Sequence, residues 1–135
     1  MDIYEQLKRD EGFSPTPYKC TEGFLTIGYG RNLENNPISE KEASDMLLKD
    51  VWKVFVPLAE IGLVDKFDNP RQSVFINMAF QMGVSGLLKF KKTINYYQNG
   101  DYESCAKEML DSKWAKQTPN RANRLSEQMR SGEWQ

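Results

Sequence analysis

Apolar positions along the chain change their period from block to block. Ile3 and Leu7 lie four apart behind Asp2 and Glu5, a D-x-x-E start that predicts a capped first helix ending at Gly12. Glu11 continues that stripe by one more i+4 step. Between Tyr18 and Leu33 the β-formers Phe24, Leu25, Ile27 and Tyr29 are interleaved with turn signals at Glu22-Gly23, Gly28 and Gly30. This predicts a small antiparallel hairpin with a third short strand. Asn35-Asn36-Pro37 breaks the pattern, and Ser39 with Glu42 forms a second capping box. The helix it opens carries Ala43, Met46, Leu47, Val51, Val54, Phe55 and Leu58 at helical spacing, and Pro57 is expected to kink or end it near Phe55. Asn69-Pro70 then starts a helix from Arg71 to Met82 that is apolar nearly all round, as a central buried helix would be. Shorter helices are expected over Phe90–Gln98 and Tyr102–Ser112. Thr118-Pro119 supplies a last cap-plus-proline start for a helix running to about Arg130.

These elements describe one α+β domain. A small hairpin lobe covers about 12–38, a connecting helix about 39–56 and a helical lobe about 57–135, with helix 2–11 expected to pack on the larger lobe. A groove between two such lobes suits an extended ligand.

Composition narrows the chemistry. Among 135 residues there is no histidine, and the two cysteines are Cys20 and Cys105. Ser-His, Cys-His and histidine-ligated metal chemistry are therefore excluded, as is a four-cysteine zinc site. Hydrolysis by this chain must rest on carboxylates, hydroxyls, amides and a thiol. Residues 1–60 hold 11 acids and 7 bases (−4), residues 61–135 hold 8 acids and 11 bases (+3), and the total is −1. No global basic field points to nucleic acid. The basic second part fits a carboxylate-bearing polymer, though solvated helix faces give the same statistic. The charged N-terminus lacks an apolar signal region, and no stretch approaches a membrane span, so a product made in the cytoplasm with no stable membrane insertion is expected.

Glu11 is the first candidate for chemistry. An apolar stripe and the negative end of a helix dipole would both favour its protonated form, as a general acid requires. From position alone, a surface glutamate in a fraying last turn is the simpler reading. Eight residues then separate Glu11 from Cys20 and five separate Cys20 from Thr26, within EGFSPTPYKCTEGFLTIGYG. Here the chain resembles the T-even-type phage lysozymes, endolysins of glycoside hydrolase family 24. In that family a Glu, an Asp or Cys, and a Thr stand at this spacing before a T-I/V-G-x-G turn. The block Asn77-Met78-Ala79-Phe80-Gln81-Met82-Gly83 and the segment Trp114 with Gln117-Thr118-Pro119-Asn120-Arg121-Ala122 match the family's other motifs in order. The resemblance covers nearly the whole chain, although the segment after Leu33 is shorter than in the longest T-even members.

The resemblance implies an inverting muramidase that cleaves the β-1,4 bond between N-acetylmuramic acid and N-acetylglucosamine in bacterial peptidoglycan. Glu11 would protonate the leaving oxygen. Cys20, where a carboxylate is usual, would position or activate water together with Thr26. A thiolate base or nucleophile and an electrostatic role are alternatives, and so is plain packing of a small side chain. Asn32, Phe80, Gln81, Thr93 and Glu108 fall where the family contacts saccharide, and core packing is a rival reading for Phe80. Arg121 would lie across the cleft and pair with Glu11. Arg31 stands where the family often has histidine, which puts that family ion pair in doubt. Trp114 and Trp134 could be sugar-stacking platforms, but at helical spacing they read as core, as does Cys105. The resemblance further implies a monomer without cofactor, held in the host cytoplasm and released to periplasmic peptidoglycan by a holin-type lesion. A catalytically inert peptidoglycan-binding relative is the main alternative.

Overall fold

Local signals at the two capping boxes and at the glycine turns set the first part of the molecule. The computed structural model describes residues 1–135 as two compact units, Met1–Met46 and Leu47–Gln135. In the first, α1 (Ile3–Glu11) has the reciprocal cap its sequence predicts, with Glu5 N–H donating to Asp2 Oδ1 (2.9 Å) and Asp2 N–H to Glu5 Oε2 (3.2 Å). Strands β1 (Ser14–Lys19), β2 (Leu25–Gly28) and β3 (Arg31–Asn32) form an antiparallel sheet in chain order. The first strand begins four residues before the expected hairpin. Pro15 and Pro17 disguise it, because neither can donate to a ladder. They also account for the irregular register between Ser14↔Gly28 and Tyr18↔Thr26.

The second capping box opens α2 (Glu40–Glu60): Ser39 N–H donates to Glu42 Oε1 (3.0 Å) and Glu42 N–H to Ser39 Oγ (3.1 Å). Glu42 also receives both ends of the Arg31 guanidinium, which donates further to the carbonyls of Asn36 (2.9 Å) and Pro37 (2.7 Å). The Arg31–Glu42 ion pair ties the end of the sheet to the start of α2.

Pro57 does not end α2, which continues to Glu60. A proline inside a helix costs about 3 kcal/mol, but burial of a leucine recovers about 1.5–3 kcal/mol. Leu58 is 0% exposed, and Val54, Phe55 and Ala59 pack on the same core.

In the second unit the core surrounds α3 (Pro70–Met82), started by Asn69 and stopped at Gly83, with Val74, Phe75 and Met78 fully buried. Around it lie α4 (Val84–Leu87), α5 (Lys91–Gln98), α6 (Tyr102–Leu110), α7 (Lys113–Gln117) and α8 (Pro119–Ser131). At four and five residues, α4 and α7 are too short to display a period. Thr118 starts α8 differently from expectation. Its hydroxyl donates back to Trp114 O (3.0 Å), and no side chain caps the helix. Cys105 is fully buried as expected, and burial pushes its thiol up to about 12. Arg71, at the start of α3, ties that helix to the end of α8 and to α6: it donates to the carbonyls of Met129 (2.8 Å) and Arg130 (3.0 Å) and lies 3.8 Å over the Tyr102 ring. No helix is long and apolar enough to cross a membrane.

Two outcomes follow from these contacts. Arg31 holds the Glu42 carboxyl down at about 2, against 4.5 ordinarily. A depressed carboxyl contributes stability that is complete above 4.5 and fades as pH falls toward 2. Thermal unfolding of Glu42→Gln should therefore fall below wild type at pH 6, with the gap closing by pH 2. A constant gap would mean that the pair's charge contributes nothing. Gly132 has φ +74°, and a Cβ there would lie 2.9 Å from Arg71 Cζ. Gly132→Ala should cost roughly 1–3 kcal/mol in urea unfolding, from left-handed strain and displacement of Arg71.

Candidate active site

All three residues of the Glu11–Cys20–Thr26 spacing lie in the first unit. Glu11 is the last residue of α1, and Gly12, with φ +70°, turns the chain away from the helix into β1. The Glu11 carboxyl rests on the β2–β3 turn. A Cβ at Gly30 would be 2.5 Å from Glu11 Oε2 and 2.7 Å from Cδ, so only glycine leaves that carboxyl its place. Gly30 also has φ +69°. The turn is attached to α1 through Tyr29, whose ring lies 5.5 Å from that of Phe13 and 5.5 Å beneath Lys8 Nζ. Ile3, Leu7 and Glu11 are all exposed on this unit, because the hairpin meets α1 at its C-terminal end rather than along its apolar stripe.

Cys20 follows β1 in a tight turn: its N–H donates to Phe24 O (2.9 Å) and its carbonyl accepts from Gly23 N–H (2.8 Å). Thr26 sits on β2, 3% exposed, and its hydroxyl donates to Phe24 O (2.9 Å). Hydrogen bonds from the backbone at Phe24, then at Glu22, hold the half-buried Cys20 thiol below its ordinary range, against the effect of burial. The Thr26 side chain adds to them, and the Glu22 carboxylate opposes. The help that no histidine can provide comes from main-chain amides. With its one proton on Phe24 O, the Thr26 hydroxyl meets the thiol as an acceptor and must turn from that carbonyl to donate to the thiolate. Asn32 lies across from Thr26 in the sheet, and its Oδ1 accepts from the N–H groups of Glu34 (3.0 Å) and Asn35 (3.2 Å).

The other candidate residues belong to the second unit, where they form separate groups. Phe80, 44% exposed and so not core, lines a cavity of about 630 Å³ with Asn77, Arg121 and Trp134. The guanidinium of Arg121 donates to Asn77 Oδ1 (2.7 and 2.9 Å) and more weakly to Asn77 O (3.3 Å). Trp134, expected in the core, is 60% exposed. It lies beyond the end of α8, where helical spacing no longer assigns a face. Trp114 is buried as expected, and its Nε1–H donates to Gln81 Oε1 (2.8 Å). Thr93 and Glu108 share a further cavity of about 420 Å³.

Two features of the site escaped sequence reasoning. One is the seat that Gly30 provides for Glu11, whose only trace in the sequence is the paired glycines of Gly28-Tyr29-Gly30. The other is the set of amides around Cys20, which carries no residue signature.

The phage lysozyme family model matches residues 8–131, a stretch that includes Glu11, Cys20, Thr26 and every second-unit candidate named above except Trp134. The chain is 32% identical to Probable T4-type lysozyme 1 of Dictyostelium discoideum, over 96% of this chain and 94% of that protein. Probable T4-type lysozyme 2 of the same organism is 28% identical, over 91% and 90%. The pre-baseplate central spike protein Gp5 of Enterobacteria phage T4 is 32% identical over 93% of this chain, which corresponds to 27% of that longer protein. By the extent of the family match and by these identities, the chain belongs to the phage lysozyme family.

Proposed function

We propose that the chain is an inverting muramidase that hydrolyses the β-1,4 bond between N-acetylmuramic acid and N-acetylglucosamine in peptidoglycan. Membership of a lysozyme family supports a glycoside hydrolase acting on peptidoglycan. The observation that supports the finer reading is that one three-stranded sheet seats the Glu11 carboxyl, at Gly30 in its β2–β3 turn, and carries the Cys20–Thr26 pair in its β1–β2 hairpin.

In this reading Glu11, protonated, donates to the glycosidic oxygen as the bond to the anomeric carbon breaks. A water held by the Thr26 hydroxyl attacks that carbon from the opposite face and passes its proton to the Cys20 thiolate. Solvent then restores the proton to Glu11 and removes it from Cys20. The thiolate's negative charge also favours the oxocarbenium-like transition state. Asn32, Phe80, Gln81, Thr93 and Glu108 are the proposed saccharide contacts. The biological setting we infer is host lysis by a monomer that reaches periplasmic peptidoglycan through a holin-type lesion.

Turbidity loss of chloroform-treated Gram-negative cells measures the activity. Glu11→Gln should lower it about 10²–10⁴-fold, the usual contribution of a general acid. Substantial clearing by that variant would remove Glu11 from the role. Cys20→Asp should keep or raise activity and Cys20→Ala should lower it strongly. An alanine variant equal to wild type would leave Cys20 as packing. The base must be deprotonated, so the acid limb of the pH profile should move to lower pH in Cys20→Asp. Gly30→Ala should act at a distance: it should cut kcat at least about tenfold by dislodging the Glu11 carboxyl, because small misplacements of reacting groups are expensive.

A further inference from the structure

The turn after α2, the first turn of α3 and the junction of α5 with α6 border a cavity of about 580 Å³ in the second unit. None of its lining residues belongs to the catalytic candidates or to the proposed saccharide contacts. Its apolar side is made by Ala59, which packs on the core, and by the buried Leu63 and Val64.

The polar side is held in one arrangement. Asn69 Oδ1 accepts from Gln72 N–H (3.0 Å), which places the Gln72 side chain beside the turn. Gln72 Oε1 accepts from the N–H groups of Asp65 (2.8 Å) and Lys66 (2.9 Å), while Nε2 donates to Asp65 Oδ1 (2.6 Å). The Asp65 carboxylate is thereby oriented by an amide, and no cation of the chain neutralises it. The ion pairs are Met1–Glu5, Arg9–Asp10, Arg31–Glu42, Lys41–Asp45 and Glu127–Arg130. Tyr97 and Tyr102 complete the wall, with ring centroids 5.8 Å apart. Tyr97 meets the fully buried Phe75 edge to face at 4.9 Å, and Arg71 lies over Tyr102. Burial, then the neighbouring Tyr102, pushes the Tyr97 hydroxyl above its ordinary range, so it keeps its proton and can donate.

This lining selects a ligand by charge. The unpaired Asp65 carboxylate disfavours an anion, and the Arg71 guanidinium over Tyr102 disfavours a cation. A neutral ring with hydroxyls to give a carboxylate, an acceptor for a phenol and an apolar C–H face satisfies every group at once. We propose that the cavity is a second glycan site, which binds an N-acetylated pyranose without cleaving it and holds the chain on its polymer. That the polymer is peptidoglycan rests on the muramidase reading above. A sugar hydroxyl donates to Asp65, a sugar oxygen accepts from Tyr97, and the acetamido methyl lies against Leu63 and Val64. The volume is within the range of small-molecule sites.

The test is an NMR titration of the folded chain with N,N′-diacetylchitobiose. Saturable shifts are expected at the amides of Gly62, Leu63, Gln98 and Gly100. Asp65→Asn keeps the oxygen that accepts from Gln72 but loses the charge, and Tyr97→Phe keeps the ring but loses the hydroxyl. Each should weaken binding at these amides about tenfold, the worth of one good hydrogen bond, with the rest of the spectrum unchanged. No saturable shift there, binding that either substitution leaves intact, or equal shifts from tetramethylammonium would overturn the proposal. A parallel clearing assay of Gram-negative cells separates the two readings. Clearing without shifts at these amides removes the second site alone, and shifts without glycan cleavage remove the muramidase alone.

Discussion

The proposed chemistry depends on one close approach, the Glu11 carboxyl lying against Gly30 where no other residue would leave room. A carboxyl at a helix end is ordinarily free to sample several rotamers, and fixing it costs side-chain entropy. Here the turn takes the left-handed glycine conformations that bring its backbone to the carboxyl. Tyr29, packed between Phe13 and Lys8, keeps the turn on α1. The next residue, Arg31, is held by Glu42 and two carbonyls at the start of α2. Three consecutive residues thus seat the acid, attach the turn to one helix and anchor the sheet to another.

The thiol at Cys20 is intelligible on the same terms. A carboxylate at that position would be ionised without assistance, whereas a thiol needs its anion stabilised. Backbone amides at the Cys20–Phe24 turn provide this, with Thr26 completing the set. The contrast with Cys105 is instructive. The same side chain, sealed among Ala106 and Met109 without comparable donors, is driven up to about 12. Environment, rather than residue type, makes one thiol more acidic than the other.

Much of this was legible in the sequence wherever the cause is local. Asp2/Glu5, Ser39/Glu42 and Asn69-Pro70 mark three helix starts because each cap is formed within four residues. The all-round apolar character of α3 announces its burial. Expectations failed where a distant partner decides. Pro57 is carried through α2 by the burial of Leu58, and Thr118 turns its hydroxyl to Trp114. Pro15 and Pro17 hide a strand that only its pairing with β2 reveals. The site follows the same division. Its spacing can be read from the chain, while the seat at Gly30 and the amides around Cys20 exist only after the hairpin has folded.

The most direct test of water attack opposite a Glu11 acid is the anomeric configuration of the first products, followed by ¹H NMR during peptidoglycan digestion before mutarotation. Attack by a water held at Cys20 and Thr26 inverts the β-linked carbon and predicts nascent α-anomers at the new N-acetylmuramic acid ends. Nascent β-anomers would contradict the account, because retention requires a covalent intermediate rather than direct attack by water.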